Sequence, residues 1–346
     1  MPMDQTVFFT QLIESAENLF NLIDSLAQAK VLVVGDLTLD EFLTGEVERL
    51  SREAPVLILR HEATRQIPGG GANAVYNLAK LGAKVKVVGL VGKDSQAEAL
   101  CRIFQAANID TKGIFPESDR PTVTKTRISG HARQSVTQQI VRVDRKSNSL
   151  PQPQLQQQLA AYIQSQIASV DAVVCSDYGD GVFTQPVIEA ALNHTRVIVD
   201  TQKDLHRFRG ATLFTPNLPE AEKAVGYAIK EEQSLLQAGK DLLELTKAEK
   251  MLITRGEEGM SLFERDKNQL KVAHIPAFNR TDVFDVTGAG DTVVAALTLA
   301  LSVGASFWQA AVLGNLAASI VVRQFGTATT SKEEMKEALS ILLEEI

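Results

Sequence analysis

Short β-branched runs alternating with longer segments of helical periodicity constrain this chain more than any other feature. Residues 31–34, 85–90, 172–175, 197–199, 213–215 and 251–254 are largely apolar over the length of a strand, as strands buried on both faces are. Between them, residues 72–81, 95–107, 155–168, 186–193 and 232–245 carry apolar positions at helical spacing. Such alternation predicts an α/β fold with a mostly parallel central sheet flanked by helices. Ahead of it, Phe8, Leu12, Leu19, Leu22, Ile23 and Leu26 predict a helix over 7–29. We therefore expect an N-terminal helical extension, 1–29, on a single unit, 30–346.

Two regions leave this rhythm. Residues 42–60 and 122–143 hold period-two segments with no helix between the second pair, which predicts a small antiparallel sheet. Near the carboxyl ends of the main strands such a sheet suits a lid that excludes water, or a dimer contact, or both. It carries Lys125, Arg127, Arg133 and Arg142, and alternation puts Lys125 and Arg127 on one face. They could meet a phosphate already on a substrate, or form a solvated surface.

Composition removes several classes of function. With a net charge of −7 over 346 residues and no Lys/Arg block, the chain lacks a nucleic-acid surface. Cys101 and Cys175 lie in apolar contexts without CxxC spacing and read as reduced core residues. The stretch between Asp291 and Arg323 has no charged residue, but Ser302-Val-Gly-Ala-Ser306 interrupts it. Two buried helices joined by a turn are expected there, with no membrane span and no signal peptide, hence a cytoplasmic protein. None of the five histidines pairs at ligand spacing, so neither zinc nor a His-based triad is indicated.

The chemistry concentrates at Asp285-Val-Thr-Gly-Ala-Gly-Asp291, where small residues and an acid open a helix. Unpaired N–H groups of Ala289, Gly290 and Asp291 would cradle anionic oxygens at the positive end of the helix dipole. An acid beside an anion cradle is what phosphoryl transfer to a hydroxyl requires. A helix that simply starts with glycines and an acid has the same letters.

Other segments supply possible ligands. Gly35-Asp36-Leu-Thr-Leu-Asp40 ends the first strand, where carboxylates suit sugar hydroxyls, although Asp is also a routine turn residue. Pro68-Gly69-Gly70-Gly71-Ala72-Asn73 satisfies a dinucleotide pattern in form only, because Pro68 precedes it and no strand-terminal acid follows. There the glycines would let backbone approach a polar ligand while Asn73 donates and accepts. No Walker A loop exists, since Gly92-Lys93 lacks its spacing. Asn217-Leu-Pro-Glu220 opens a helix with oxygen ligands that suit Mg²⁺, or else a cap. Thr254-Arg-Gly256-Glu-Glu-Gly259 offers backbone against which a nucleotide could lie.

Together these motifs resemble the ribokinase-like, or PfkB, family of carbohydrate kinases, from about residue 30 to about 331. Within it the chain is most similar to the heptose-7-phosphate kinases that form one half of the bifunctional ADP-heptose synthesis enzyme. That likeness rests on Gly35–Asp40, Leu50-Ser-Arg-Glu-Ala-Pro-Val56, Thr124-Lys125-Thr-Arg127, Gln139-Ile-Val-Arg142-Val-Asp144, Ser176-Asp177-Tyr178 and Gly210-Ala-Thr-Leu-Phe-Thr-Pro-Asn-Leu218. The resemblance implies Asp291 as catalytic base, with Gly288, Ala289 and Gly290 as anion hole. It implies Asp36, Asp40, Gly70, Gly71 and Asn73 on the sugar, beside which the basic lid residues Lys125, Arg127 and Arg142 would meet the substrate. It puts Asn217 and Glu220 on Mg²⁺ and phosphates, and Thr254, Gly256, Gly259 and Asn315 along ATP. A monovalent cation, K⁺, beside Asp285 and Thr287 and a homodimer through the lid are further implications.

Two departures stand out. The nucleotidyltransferase half of the bifunctional enzyme is not in this sequence. Where the heptose kinases usually read Asp-Pro-Lys, this chain has Asp200-Thr-Gln-Lys203, which opens the identity of the sugar. The expected activity is ATP-dependent phosphorylation of a sugar phosphate, with heptose 7-phosphate giving the 1,7-bisphosphate. Alternatives are an unphosphorylated hexose, pentose or nucleoside as acceptor, or a catalytically silent sugar- or nucleotide-binding regulator.

Overall fold

In the computed structural model, which describes residues 5–132, 136–266, 269–279 and 283–346, the apolar runs become the middle of one nine-stranded sheet. Arg133 lies outside the described residues. The chain starts with α1 (Gln5–Ser25), β1 (Lys30–Gly35), β2 (Leu37–Leu50), β3 (Leu57–Gly70), α2 (Gly71–Lys80) and β4 (Lys84–Val91). Next come α3 (Ser95–Ala106), β5 (Asp110–Pro116), β6 (Val123–His131), β7 (Gln138–Arg145), α4 (Pro153–Gln166) and β8 (Ala172–Asp177). Then follow α5 (Gln185–Leu192), β9 (Val197–Thr201), β10 (Leu213–Phe214), α6 (Leu218–Val225), α7 (Glu232–Thr246) and β11 (Lys250–Thr254). Last are β12 (Met260–Asp266), β13 (Gln269–Ile275), α8 (Ala289–Ser302), α9 (Phe307–Val321) and α10 (Lys332–Glu344).

The main sheet runs β13-β12-β11-β10-β9-β8-β1-β4-β5, parallel from β11 through β5 and antiparallel at β12 and β13. Alternation along β1 shows how both faces are buried. Val31 and Val33 join a core with α1, α2, α8 and α9, whereas Leu32 and Val34 join one with α4, α5 and α7. The N-terminal helix belongs to the first core: Leu12, Leu19, Ile23 and Leu26 are fully buried, and Phe8 packs 5.9 Å from Trp308. The uncharged stretch after Asp291 forms α8 and α9, joined through Gly304. Among the described residues no helix is long and apolar enough to cross a membrane.

The second sheet has the order β3-β2-β6-β7. Its outer pairings are antiparallel, as expected for a hairpin-built lid, and β2 and β6 meet in a parallel seam. It also reaches deeper than residues 42–60 suggest. Only Asp36 separates β1 from β2, and β3 continues through Gly69 and Gly70 to the start of α2. The polar letters of 37–41 hide a strand whose first five residues are all buried.

Candidate active site

Where β1, β2, β3, β8 and the first turn of α8 converge, the two glycine motifs meet. Gly288 caps α8 at φ +78°, a left-handed conformation that glycine adopts without strain. A side chain there would also press against Asn73, whose Nδ2 would lie 2.6 Å from its Cβ. Glycine at this position therefore lets Asn73 reach the helix start. Among the described residues the amides of Gly290 and Asp291 have no acceptor, and the space before Gly290 is open. The Ala289 amide differs from expectation: it donates to the Val286 carbonyl at 3.2 Å, closing a turn. Two free amides remain, at the positive end of a helix of 14 residues.

Asp291 lies in that first turn with only 3% of its surface exposed. Asn73 Nδ2 donates to its Oδ2 at 2.8 Å, and Tyr178 Oη donates to its Oδ1 at 3.0 Å. Burial lifts its pKa to about 6, against the two hydrogen bonds and Lys125, with Asp40 adding to the rise. Such a carboxylate is ionised at neutral pH yet basic enough to take a proton. Asn73 is itself fixed, because Asn77 Nδ2 donates to its carbonyl and to its Oδ1, while Thr292 Oγ1 donates to Asn77.

The two acids after β1 part company. Asp36 does not face an open site. Its carboxylate accepts three backbone N–H groups, from Tyr178 and Asp180 on Oδ2 and from Val182 on Oδ1, at 2.9–3.0 Å. Burial and neighbouring Asp177 push its pKa up to about 6. The expectation of a sugar ligand at Asp36 gives way to a clasp on the loop after β8, since those amides need an acceptor once buried. Asp40, four residues on and also buried, has its Oδ1 on Arg127 at 2.8 Å. Gly69 makes room for that carboxylate, and Gly71 lies against the Asp36 backbone, to whose carbonyl it donates at 3.0 Å.

The lid brings its cations to one face. Lys125 sits beside Asp40 in the β2–β6 register, its Nζ 5.6 Å over the Tyr178 ring, with no carboxylate at ion-pair distance among the described residues. Arg127 lies over Phe42 as well as on Asp40. Arg142 stands opposite Arg127 on exposed β7, and its guanidinium is taken up by Asp144 at 2.8 Å and 2.9 Å.

At the carboxyl ends of β9 and β10, Asn217 and Glu220 form a capping box on α6. Asn217 Oδ1 accepts from the Glu220 amide and Glu220 Oε2 from the Asn217 amide, each at 2.9 Å. Burial raises the Glu220 pKa, and burial with Asp291 and Glu220 raises that of Asp200 well above the usual range. Three acids thus share one neighbourhood, with Lys125 acting on Asp291 and Lys223 on Glu220, and such a crowding of carboxylates suits a cation brought with phosphates. Among the described residues no group of three or more His, Cys, Asp or Glu is arranged to hold a metal alone.

The remaining residues are placed more by packing. Thr254 bridges to Asn217, which joins the β11 end to the α6 cap. A side chain at Gly259 would run into the Ile275 carbonyl, so the glycine admits the β12–β13 hairpin. Gly256 borders open space. Asn315, on α9, donates to the Pro276 carbonyl at 2.7 Å, anchoring the segment after β13. Asp285 accepts the amides of Thr287 and Gly326 at 2.9 Å; against burial, these bonds and Arg127 hold its carboxyl below the usual range.

Tyr178 and Asp200 are the site residues that sequence reasoning did not assign. Both lie at the carboxyl ends of central strands, β8 and β9, where ligands of open α/β sheets bind, and that position is the signal that could have found them.

A model of the pfkB family of carbohydrate kinases matches residues 28–334. The bifunctional protein HldE of Desulfatibacillum aliphaticivorans is 41% identical over 330 residues, covering 93% of this chain and 66% of that protein. HldE of Geobacter metallireducens is 41% identical over 325 residues, covering 92% and 64%. The chain spans just under two thirds of the length of these curated relatives. Among solved structures, Arabidopsis thaliana ribokinase complexed with ribose and ATP matches with a TM-score of 0.68 at 18% identity, over 91% of this chain and 99% of that one. Escherichia coli phosphofructokinase-2 in complex with substrates and products matches with a TM-score of 0.71 at 18% identity, over 90% and 99%. At that identity the likeness is one of fold.

Proposed function

Because this chain belongs to the pfkB family of carbohydrate kinases and is an ATP-dependent sugar kinase, we propose a finer reading: it phosphorylates a sugar phosphate, with heptose 7-phosphate as acceptor and the 1,7-bisphosphate as product. The observation that carries the chemistry is Asp291, buried, doubly held and next to two unpaired amides. Asp291 takes the proton of the acceptor hydroxyl as its oxygen bonds to the γ-phosphorus and the bond to the β-phosphate oxygen breaks, releasing ADP. The Gly290 and Asp291 amides and the helix dipole hold the charge that spreads over the phosphoryl oxygens.

The carboxylates of Asp200 and Glu220 suit Mg²⁺ held through water, which on binding would neutralise phosphate charge. Thr254 and Gly256 edge the open space in which the nucleotide would lie. The ionised carboxylate of Asp285, beside Thr287, supports a K⁺ site, tested by replacing KCl with choline chloride. A lid-mediated homodimer and a cytoplasmic location, where ATP is present, belong to the same reading.

The acceptor assignment is supported by the HldE likeness and by Lys125, a cation at the sugar side with no carboxylate at ion-pair distance among the described residues. The engagement of Arg127 with Asp40 favours a second reading, an unphosphorylated hexose, pentose or nucleoside, because it withdraws one phosphate-binding cation. ADP release measured over a panel of phosphorylated and free sugars, with Asp291→Asn as blank, separates the two. Turnover restricted to free sugars overturns the heptose-phosphate assignment, and no turnover with any sugar overturns the reading as a whole.

A further inference from the structure

The hydroxyl on the second oxygen of Asp291 belongs to a side chain that no motif assigned, and its support runs back to the first strand. Tyr178 donates from Oη to Asp291 Oδ1, while its own backbone amide donates to Asp36 Oδ2 at 2.9 Å. Asp36 also accepts Asp180 and Val182, and Asp177 Oδ1 accepts Gly179 at 2.9 Å, so successive residues of this loop are pinned. Lys125 from the lid lies over the phenol ring and fixes its outer face. We propose that Tyr178 is a positioning residue for the base: its hydroxyl, carried on the loop that Asp36 clasps, holds the Asp291 carboxylate aligned and charged for the incoming alcohol.

The chemistry of a phenol suits this task. Burial and the surrounding acids, Asp291 first and then Asp200 and Glu220, push its pKa well up, so it keeps its proton and remains a donor. A neutral donor stabilises the carboxylate without the full opposing charge of a lysine, which would remove its basicity. Charged groups facing this pair are Asp40 from β2, Lys125 from β6, Asp200 from β9 and Glu220 from α6. Asp36 acts one step behind, through the backbone, and this gives its buried carboxylate a role that sugar contact does not.

The inference rests on the phosphotransferase reading, and its test separates the two. Tyr178→Phe keeps the ring and removes the donor. We expect the acid limb of the kcat/KM profile to move up by about one pH unit and kcat at pH 7 to fall about tenfold, with KM for ATP little changed. The carboxyl ¹³C resonance of Asp291, titrated in the whole chain without substrate, is expected to show the same upward shift. An acid limb and a carboxyl titration both unchanged from wild type overturn the proposal. If wild type turns over no sugar, the kinase reading fails and the NMR titration still decides on Tyr178. If Tyr178→Phe does not fold, Asp36→Asn, which loosens the loop and leaves the phenol, must move the titration in the same direction.

Discussion

At the scale of single residues, burial rather than letter decides what an acid does here. Asp36 and Asp40 stand four apart in one motif, yet one is spent on three backbone amides and the other faces lid cations. Asp291→Asn is expected to lower kcat by at least two orders of magnitude while leaving ATP affinity nearly intact, as isothermal titration with ATP would show. The same variant should be more stable than wild type at pH 7.5. A carboxyl whose pKa rises on folding to about 6 favours the folded state below the unfolded value near 4, and that benefit is lost as pH climbs through 6. The penalty of charging it in the fold is about 3 kcal/mol at most. Melting curves at pH 7.5 and pH 4 should therefore show a gain for the variant that shrinks on acidification; a gain that is constant with pH sinks the argument. Asp291, the glycine cradle and Asn73 were legible because small residues before a helix have few alternatives. The split between Asp36 and Asp40 was not, since which amides end up buried is a property of the loop after β8, over a hundred residues away.

At the scale of elements, the helix starts carry the site. Asn217→Ala removes a cap and should cost about 1 kcal/mol by thermal unfolding. If α6 also presents Asn217 to nucleotide, KM for ATP rises several-fold as well; a stability loss with unchanged KM leaves the residue as a cap alone. Gly288→Ala forces a side chain into φ +78° and onto Asn73, so we expect a kcat loss of tenfold or more from breaking the Asn73–Asp291 bond. The central strands and the helices between them were readable from periodicity, because burial on both faces of a parallel sheet demands nearly continuous apolar runs. Elements outside that rule were missed: β12 and β13 form an edge hairpin whose alternation across residues 260–275 was the unused signal.

For the whole molecule, the lid is the surface least explained by the single chain. Every residue of β7 is exposed, Ile140, Val141 and Val143 among them, and Leu50, Val56 and Leu57 are exposed on β2, β3 and the turn between them. A second lid covering these apolar residues would account for their exposure, and sedimentation of wild type against Val141→Lys/Val143→Glu should then show a dimer turned monomer. A monomeric wild type at micromolar concentration would reject the lid as the contact. The N-terminal helix, by contrast, is already accounted for, with Phe8, Leu12 and Ile23 filling the core under α9 and α10.

The passage from β1 into β2 through a single residue bears on how such an enzyme could open. A hinge at Asp36 would tear three amides from their acceptor, so the floor of the cleft should stay put while substrates come and go. Further out, β2 carries register shifts at Thr44/Gly45 and Val47/Arg49, where pairing with β3 is already interrupted. Bending is cheapest there, which makes the outer half of the sheet a flap and the inner half part of the foundation. Amide exchange should reflect that boundary, slow for residues 37–41 and fast beyond Gly45.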